Sequence, residues 1–234
     1  MTRIIPSLLI SLVLASAPAH AGYPEAKASF EGLSRAERSA VTLGLIAAGT
    51  FEGLAALGFT PYLYRAIRAF ERRHGMNEDG VLAPEQVQQL ARLADDFYHQ
   101  LGARSYRHPH TGARLLVPRG LFDSERQTAE GLLFTRRDGM LSLAFLSFPG
   151  TEKSYDRLWK TLSAATEGKH IVYERRFDNR FVVTGVFHQS KFYTMMARDG
   201  ANTTGFTISW GAPYEALGRK LSTFLANAWL AEIR

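Results

Sequence analysis

Apolar residues recur at helical spacing from Ser34 to about Leu101 and at strand spacing after Gly102, so a helical part precedes a sheet-rich part. Ser34-Arg35-Ala36-Glu37 is a capping box, in which the serine hydroxyl and the glutamate satisfy each other's backbone amides. Val41, Leu43, Leu45 and Ile46 follow, and Gly49 stops this helix. Thr60-Pro61 opens a second helix, with Leu63, Ala66, Ile67 and Phe70 on one stripe and Arg65, Arg68, Glu71, Arg72 and Arg73 on the other. Gly75 ends it, and Asp79-Gly80 is a tight turn. A third helix starts at Pro84-Glu85 and turns Val87, Leu90, Ala94, Phe97 and Leu101 inward. Gly22 to Gly32 reads as a polar lead-in.

Beyond Gly102, strands are expected at 115–117, 131–134, 140–145, 171–173, 181–187, 191–196 and 205–210. Asp138-Gly139, Asp178-Asn179 and Gln189-Ser190 supply hairpin turns. Tyr155 to Ala165 reads as a helix, and Pro213 opens a closing one with Leu217, Leu221, Phe224, Leu225 and Trp229 on one side. The expected fold class is α+β: a small three-helix bundle over 30–101, then an antiparallel-sheet α/β sandwich over 103–234.

The first 21 residues have a different character. Arg3 precedes an apolar run from Ile4 to Ala15, and Ala19-His20-Ala21 is a small-x-small cleavage pattern. The run is shorter than the ~20 residues that span a bilayer. A signal peptide over 1–21, export to the periplasm and no membrane span after cleavage are therefore expected. The chain has no cysteine, which excludes disulfides, thiol nucleophiles and a lipoprotein anchor. Its net charge of +6 suits an anionic envelope polymer, and an exported chain is not expected to meet nucleic acid.

The helical part resembles the three-helix peptidoglycan-binding domain of wall hydrolases. The residues carrying the likeness are Phe51-Glu52-Gly53, Phe59, Pro61, Ala66-Ile67-Arg68-Ala69-Phe70-Glu71, Gly75 and Asp79-Gly80-Val81-Leu82-Ala83-Pro84. It covers about 70 residues. Five positions depart from the family pattern: Thr60 and Leu63 replace its Gly and Thr, Glu71 replaces its Gln, and Ala56-Leu57 stands where it has Asp-Gly. The resemblance implies a wall-binding role, with Phe51, Glu52, Tyr62, Tyr64 and Arg65 as exposed groups between helices that could contact sugar rings or peptide carboxylates. The sheet-rich part resembles the PsbP-like sandwich in its order of elements, with Gly185, Tyr193 and the aromatic strand around Trp210 as points of likeness. No site follows from that second resemblance.

Other constellations give little. His108-Pro109-His110 has no third ligand nearby and reads as an exposed loop, while His74, His99, His170 and His188 are isolated. No Gly-x-Ser-x-Gly elbow or phosphate loop is present. Glu125 and Glu130 read as surface charges rather than a general-acid pair. Arg136-Arg137 and Arg175-Arg176 flank hairpin turns, where charge guards strand edges, or could form a basic rim for an acidic polymer. The sequence thus points to a non-enzymatic periplasmic peptidoglycan-binding protein with no metal or cofactor. The alternatives are an adaptor for an envelope protein, or a ligand-binding protein, whose helices no longer hold wall, and then a wall hydrolase.

Overall fold

The computed structural model describes residues 22–232 except 55–57, 109–110 and 151. The expected signal peptide, the Ala56-Leu57 departure and His110 fall outside the described residues.

Four helices, not three, precede the sheet: α1 Tyr23–Gly32, α2 Arg35–Ala47, α3 Pro61–Arg73 and α4 Pro84–Gln100. The expected lead-in is helical because Ala26 and Phe30, four residues apart, both bury one face. Phe30 and Tyr23 lie 5.5 and 5.2 Å from the Phe59 ring, which ties α1 to the start of α3. The other helix starts are as the sequence implies. Ser34 Oγ accepts from the Glu37 N–H at 3.3 Å while Glu37 returns the bond at 2.8 Å, and Thr60 Oγ1 accepts from the Leu63 N–H at 3.2 Å. Helices α2 and α4 cross closely at Gly44, where a β-carbon would lie 2.2 Å from the Leu90 carbonyl oxygen.

Two strands, β1 Ala103–Arg107 and β2 Arg114–Pro118, form a separate hairpin. Seven more build an antiparallel sheet: β3 Ser124–Thr128, β4 Gly131–Thr135, β5 Leu141–Pro149, β6 Lys169–Arg176, β7 Arg180–Phe187, β8 Ser190–Asp199 and β9 Asn202–Trp210. Their order is β3-β4-β5-β9-β8-β7-β6, so β3 and β6 are its edges. Helix α5 Glu152–Ser163 covers one face, where Tyr155, Leu158 and Trp159 meet Phe181, Val183, Phe192 and Met196. Helix α6 Glu215–Glu232 covers the other, where Phe224, Leu225 and Trp229 share a core with Phe145, Met195 and Phe206. The fold is α+β, with helices on both faces of one antiparallel sheet.

That second core does not stop at the sheet. It runs through α6 into α2 and α4, with the Phe97 and Phe224 rings 4.9 Å apart and nearly perpendicular. Lys220 Nζ donates to the Ala47 carbonyl at 2.9 Å, and Asn227 Nδ2 donates to the Gly53 carbonyl at 2.8 Å. The last helix is therefore the shared wall between the helical part and the sheet.

Candidate ligand cleft at the junction

A cleft of about 240 Å³ opens where the segment after Phe51 meets the sheet. Glu52, Gly53 and Leu54 form one wall, Thr223 of α6 lies at its back, and Val182, Thr184 and Tyr193 form a largely apolar floor. Tyr173, Arg175 and Phe177 complete the far side.

Tyr173 and Arg175 point here because of an irregularity in β6. Ile171 pairs with Gly185 but Tyr173 pairs with Thr184, leaving Val172 as an extra, bulged residue. Simple alternation would place Ile171 and Tyr173 on one face. The bulge instead lets Ile171 join the α5 core while Tyr173 and Arg175 join Thr184 and Val182 in the cleft. Val172 itself projects from the edge, 74% exposed. On the floor, burial pushes the Tyr193 hydroxyl well above the ordinary tyrosine range, so it stays a neutral donor, directed to the Met195 sulfur at 3.8 Å.

The five residues proposed from sequence separate into two groups. Glu52 lines the cleft and pairs with Arg219 of α6 at 3.7 Å. Tyr62 is 44% exposed and packs against Gly53, where an added β-carbon would lie 2.9 Å from its ring. The Arg65 guanidinium sits over Tyr62 at 5.7 Å. Those three lie in and beside the cleft. Phe51, expected at the surface, is only 2% exposed and supports Tyr62 from beneath at 5.4 Å. Tyr64 is also not free at the surface. It is half-buried, 5.4 Å from Tyr23, and its ring would touch any β-carbon at Gly80. Leu54, Tyr173 and Phe177 line the cleft without any signal in the sequence, and Arg175, which reads there as a turn-flanking charge or part of a basic rim, lies on its far side. Only the bulge brings Tyr173 and Arg175 to the cleft face, and no residue type announces it.

Elsewhere, His108 is not in an exposed loop as expected. It is 1% exposed, its Nε2–H donating to the Glu130 carbonyl at 2.9 Å while Nδ1 accepts from the Thr111 N–H at 3.3 Å. Nε2 thus ties the β1–β2 hairpin to the β3–β4 turn, while Nδ1 orders the β1–β2 connection itself. Among the described residues no group of three His, Asp or Glu side chains could hold a metal ion. Glu125 accepts from the Tyr106 hydroxyl at 3.1 Å, whereas Glu130 sits in the turn at the opposite end of β3. A larger cleft of about 370 Å³ between α1, α2 and α6 carries Arg35, Arg38 and Asn227, and its wall at Gly58 adjoins residues outside the described set.

No protein-family model matches this sequence, and no curated protein matches it. Among solved structures, the chain is similar to the solution structure of cyanobacterial PsbP (CyanoP) from Synechocystis sp. PCC 6803, at 10% identity and a TM-score of 0.42, over 53% of this chain and 89% of that one.

Proposed function

We propose that this chain is a non-catalytic peptidoglycan-binding protein of the periplasm, and that the junction cleft is where it holds the wall. The observation that carries the reading is the rim of the cleft. Two exposed tyrosines border it, Tyr62 through Gly53 and Tyr173 directly, at 44% and 49% exposure, and each has an arginine beside it. Tyrosine offers a broad, rigid face with a polar tip, suited to a sugar ring, and arginine pairs with carboxylates through two parallel bonds. Apolar floor, few polar groups and an open mouth are what a binding site for part of a long polymer requires. The leader pattern in the first 21 residues would deliver the chain to that polymer.

The test is co-sedimentation of the full-length chain with purified sacculi. Binding is expected, weakened about tenfold by Tyr173→Ala, a loss of ~1.4 kcal/mol. Failure to sediment at any salt concentration refutes the reading. A second reading, an adaptor for an envelope protein, is favoured by the open edge of β6 with Val172 exposed on it. It predicts no sedimentation with sacculi.

A further inference from the structure

We infer that Arg175 and Arg180, both held on the ring of Phe177, form a carboxylate-binding subsite at the mouth of the cleft, and that it takes the acidic peptide stems of the wall polymer rather than its sugars. This rests on the wall-binding reading above.

The Arg175 and Arg180 guanidinium carbons lie 4.9 and 4.5 Å from the Phe177 ring centre. The two charges are therefore closer together than about 10 Å, the Debye length at 0.1 M salt, and reinforce each other's field. Neither has a carboxylate partner among the described residues. Arg176, between them in sequence, differs: it pairs with Asp156 and lies over Tyr155. Glu174 pairs across to Val183, on the α5 face, and so alternates away from Arg175. Asp178, in the exposed turn, forms no ion pair with either arginine among the described residues.

Arg180 is the more telling of the two. Its Nε is buried without a hydrogen-bond partner, and Nη1 reaches Asn179 Oδ1 at 3.4 Å. A buried N–H left unpaired is costly, and with Nε already sealed from solvent the Nη groups are the donors an incoming carboxylate would meet. The ring contact restrains both guanidinium groups, so less side-chain freedom is lost when a ligand arrives. Phe177 and Arg175 also line the cleft. A ligand anchored by a carboxylate on the clamp would extend its apolar part toward Leu54, Val182 and Tyr193. In the wall polymer, the free carboxylates belong to the short peptides, because the sugar carboxylates are spent in attaching them.

The experiment compares the full-length chain on native sacculi and on sacculi whose carboxylates have been amidated. Arg175→Gln/Arg180→Gln is set against Arg92→Gln/Arg126→Gln, which removes the same charge at exposed positions, one on α4 and one on β3 at the opposite edge of the sheet. The inference expects at least tenfold weaker binding to amidated sacculi and the same loss for the 175/180 pair on native sacculi. The 92/126 pair should change binding less than twofold. Arg175→Gln alone, at an exposed edge position, guards against a folding defect and should lose several-fold. Equal binding to native and amidated sacculi, or equal losses in the two double variants, overturns the carboxylate subsite while leaving wall binding in place. No binding of the unaltered chain to native sacculi overturns the wall reading itself, and the subsite with it.

Discussion

Glu71 Oε2 accepts the backbone N–H of Gly80 at 2.9 Å from within the helical core, while Oε1 has no hydrogen-bond partner. The carboxyl braces the turn between α3 and α4, where Gly80 adopts a φ of 76°. Burial, the dominant cause, raises its pKa from 4.5 to about 7; the Gly80 bond opposes the shift and Asp79 adds to it. Because the folded pKa lies above the unfolded one, folding takes up a proton between those values. Stability from this group is full below pH 4.5 and is lost as pH rises through about 7. Glu71→Gln keeps the acceptor and removes the charge. It should raise stability at pH 8 by about 3 kcal/mol, at ~1.4 kcal/mol per unit, and leave pH 4 nearly unchanged. Thermal melts at the two pH values decide it, and equal melting of variant and parent at pH 8 would refute the buried-charge account.

The Phe97–Phe224 contact predicts that the helical part and the sheet unfold together. Phe224 also meets Tyr98 at 4.8 Å and is 1% exposed, so its removal opens a cavity between α4 and α6. Phe224→Ala should cost about 3–5 kcal/mol. Circular dichroism and aromatic fluorescence should report one coincident denaturant transition, in the parent and the variant alike. Two separated transitions in the parent would show that the halves do not share a core.

How far the sequence foretold this follows from where side-chain pattern alone decides structure. The Leu63–Phe70 stripe and the Thr60-Pro61 start read correctly because a helix with a capped end and one buried face declares itself locally. Strands β7, β8 and β9 were legible for the same reason. Strand β3, Ser-Glu-Arg-Gln-Thr, was not. Its residues are mostly exposed and carry no alternation, and it exists because β4 offers an unpaired edge. Helix α1 was hidden because its buried face is two residues wide and needs Phe59, nearly 30 positions further on. The cleft was half legible. Of the residues singled out in the sequence Glu52 lines it and Tyr62 and Arg65 lie beside it, but its sheet side depends on one bulged residue, and a period-two reading of 171–173 points the wrong way.

The crossing at Gly44 yields a prediction that runs against helix propensity. In an isolated helix, Gly→Ala gains about 1 kcal/mol. Here the new methyl would overlap the Leu90 carbonyl, a backbone atom that can move only if α4 moves. Gly44→Ala should therefore destabilise by about 1–3 kcal/mol, as over-packed cores do. Urea denaturation measures it, and a stabilised variant would mean that the helices separate at little cost.

Tyr62 and Tyr64 are two residues apart on α3, and the structure packs them differently. Tyr62 lies on Phe51 with Arg65 over its ring, and 44% of it faces solvent beside the cleft. Tyr64 fills space among Tyr23, Phe59 and Gly80, and Arg68 covers it from outside at 5.6 Å. Tyr64→Ala should lower stability by about 2–4 kcal/mol, the range for truncating a packed ring, and leave sacculus binding intact wherever the chain stays folded. Tyr62→Ala should cost less stability, about 1–2 kcal/mol because 44% of the residue already faces solvent, while binding falls about tenfold. Melting and co-sedimentation on the same two proteins separate the roles. If Tyr64→Ala abolished binding in a folded chain while Tyr62→Ala kept it, the contact face of α3 would lie on the α1 side, and the junction cleft would lose its claim to the wall.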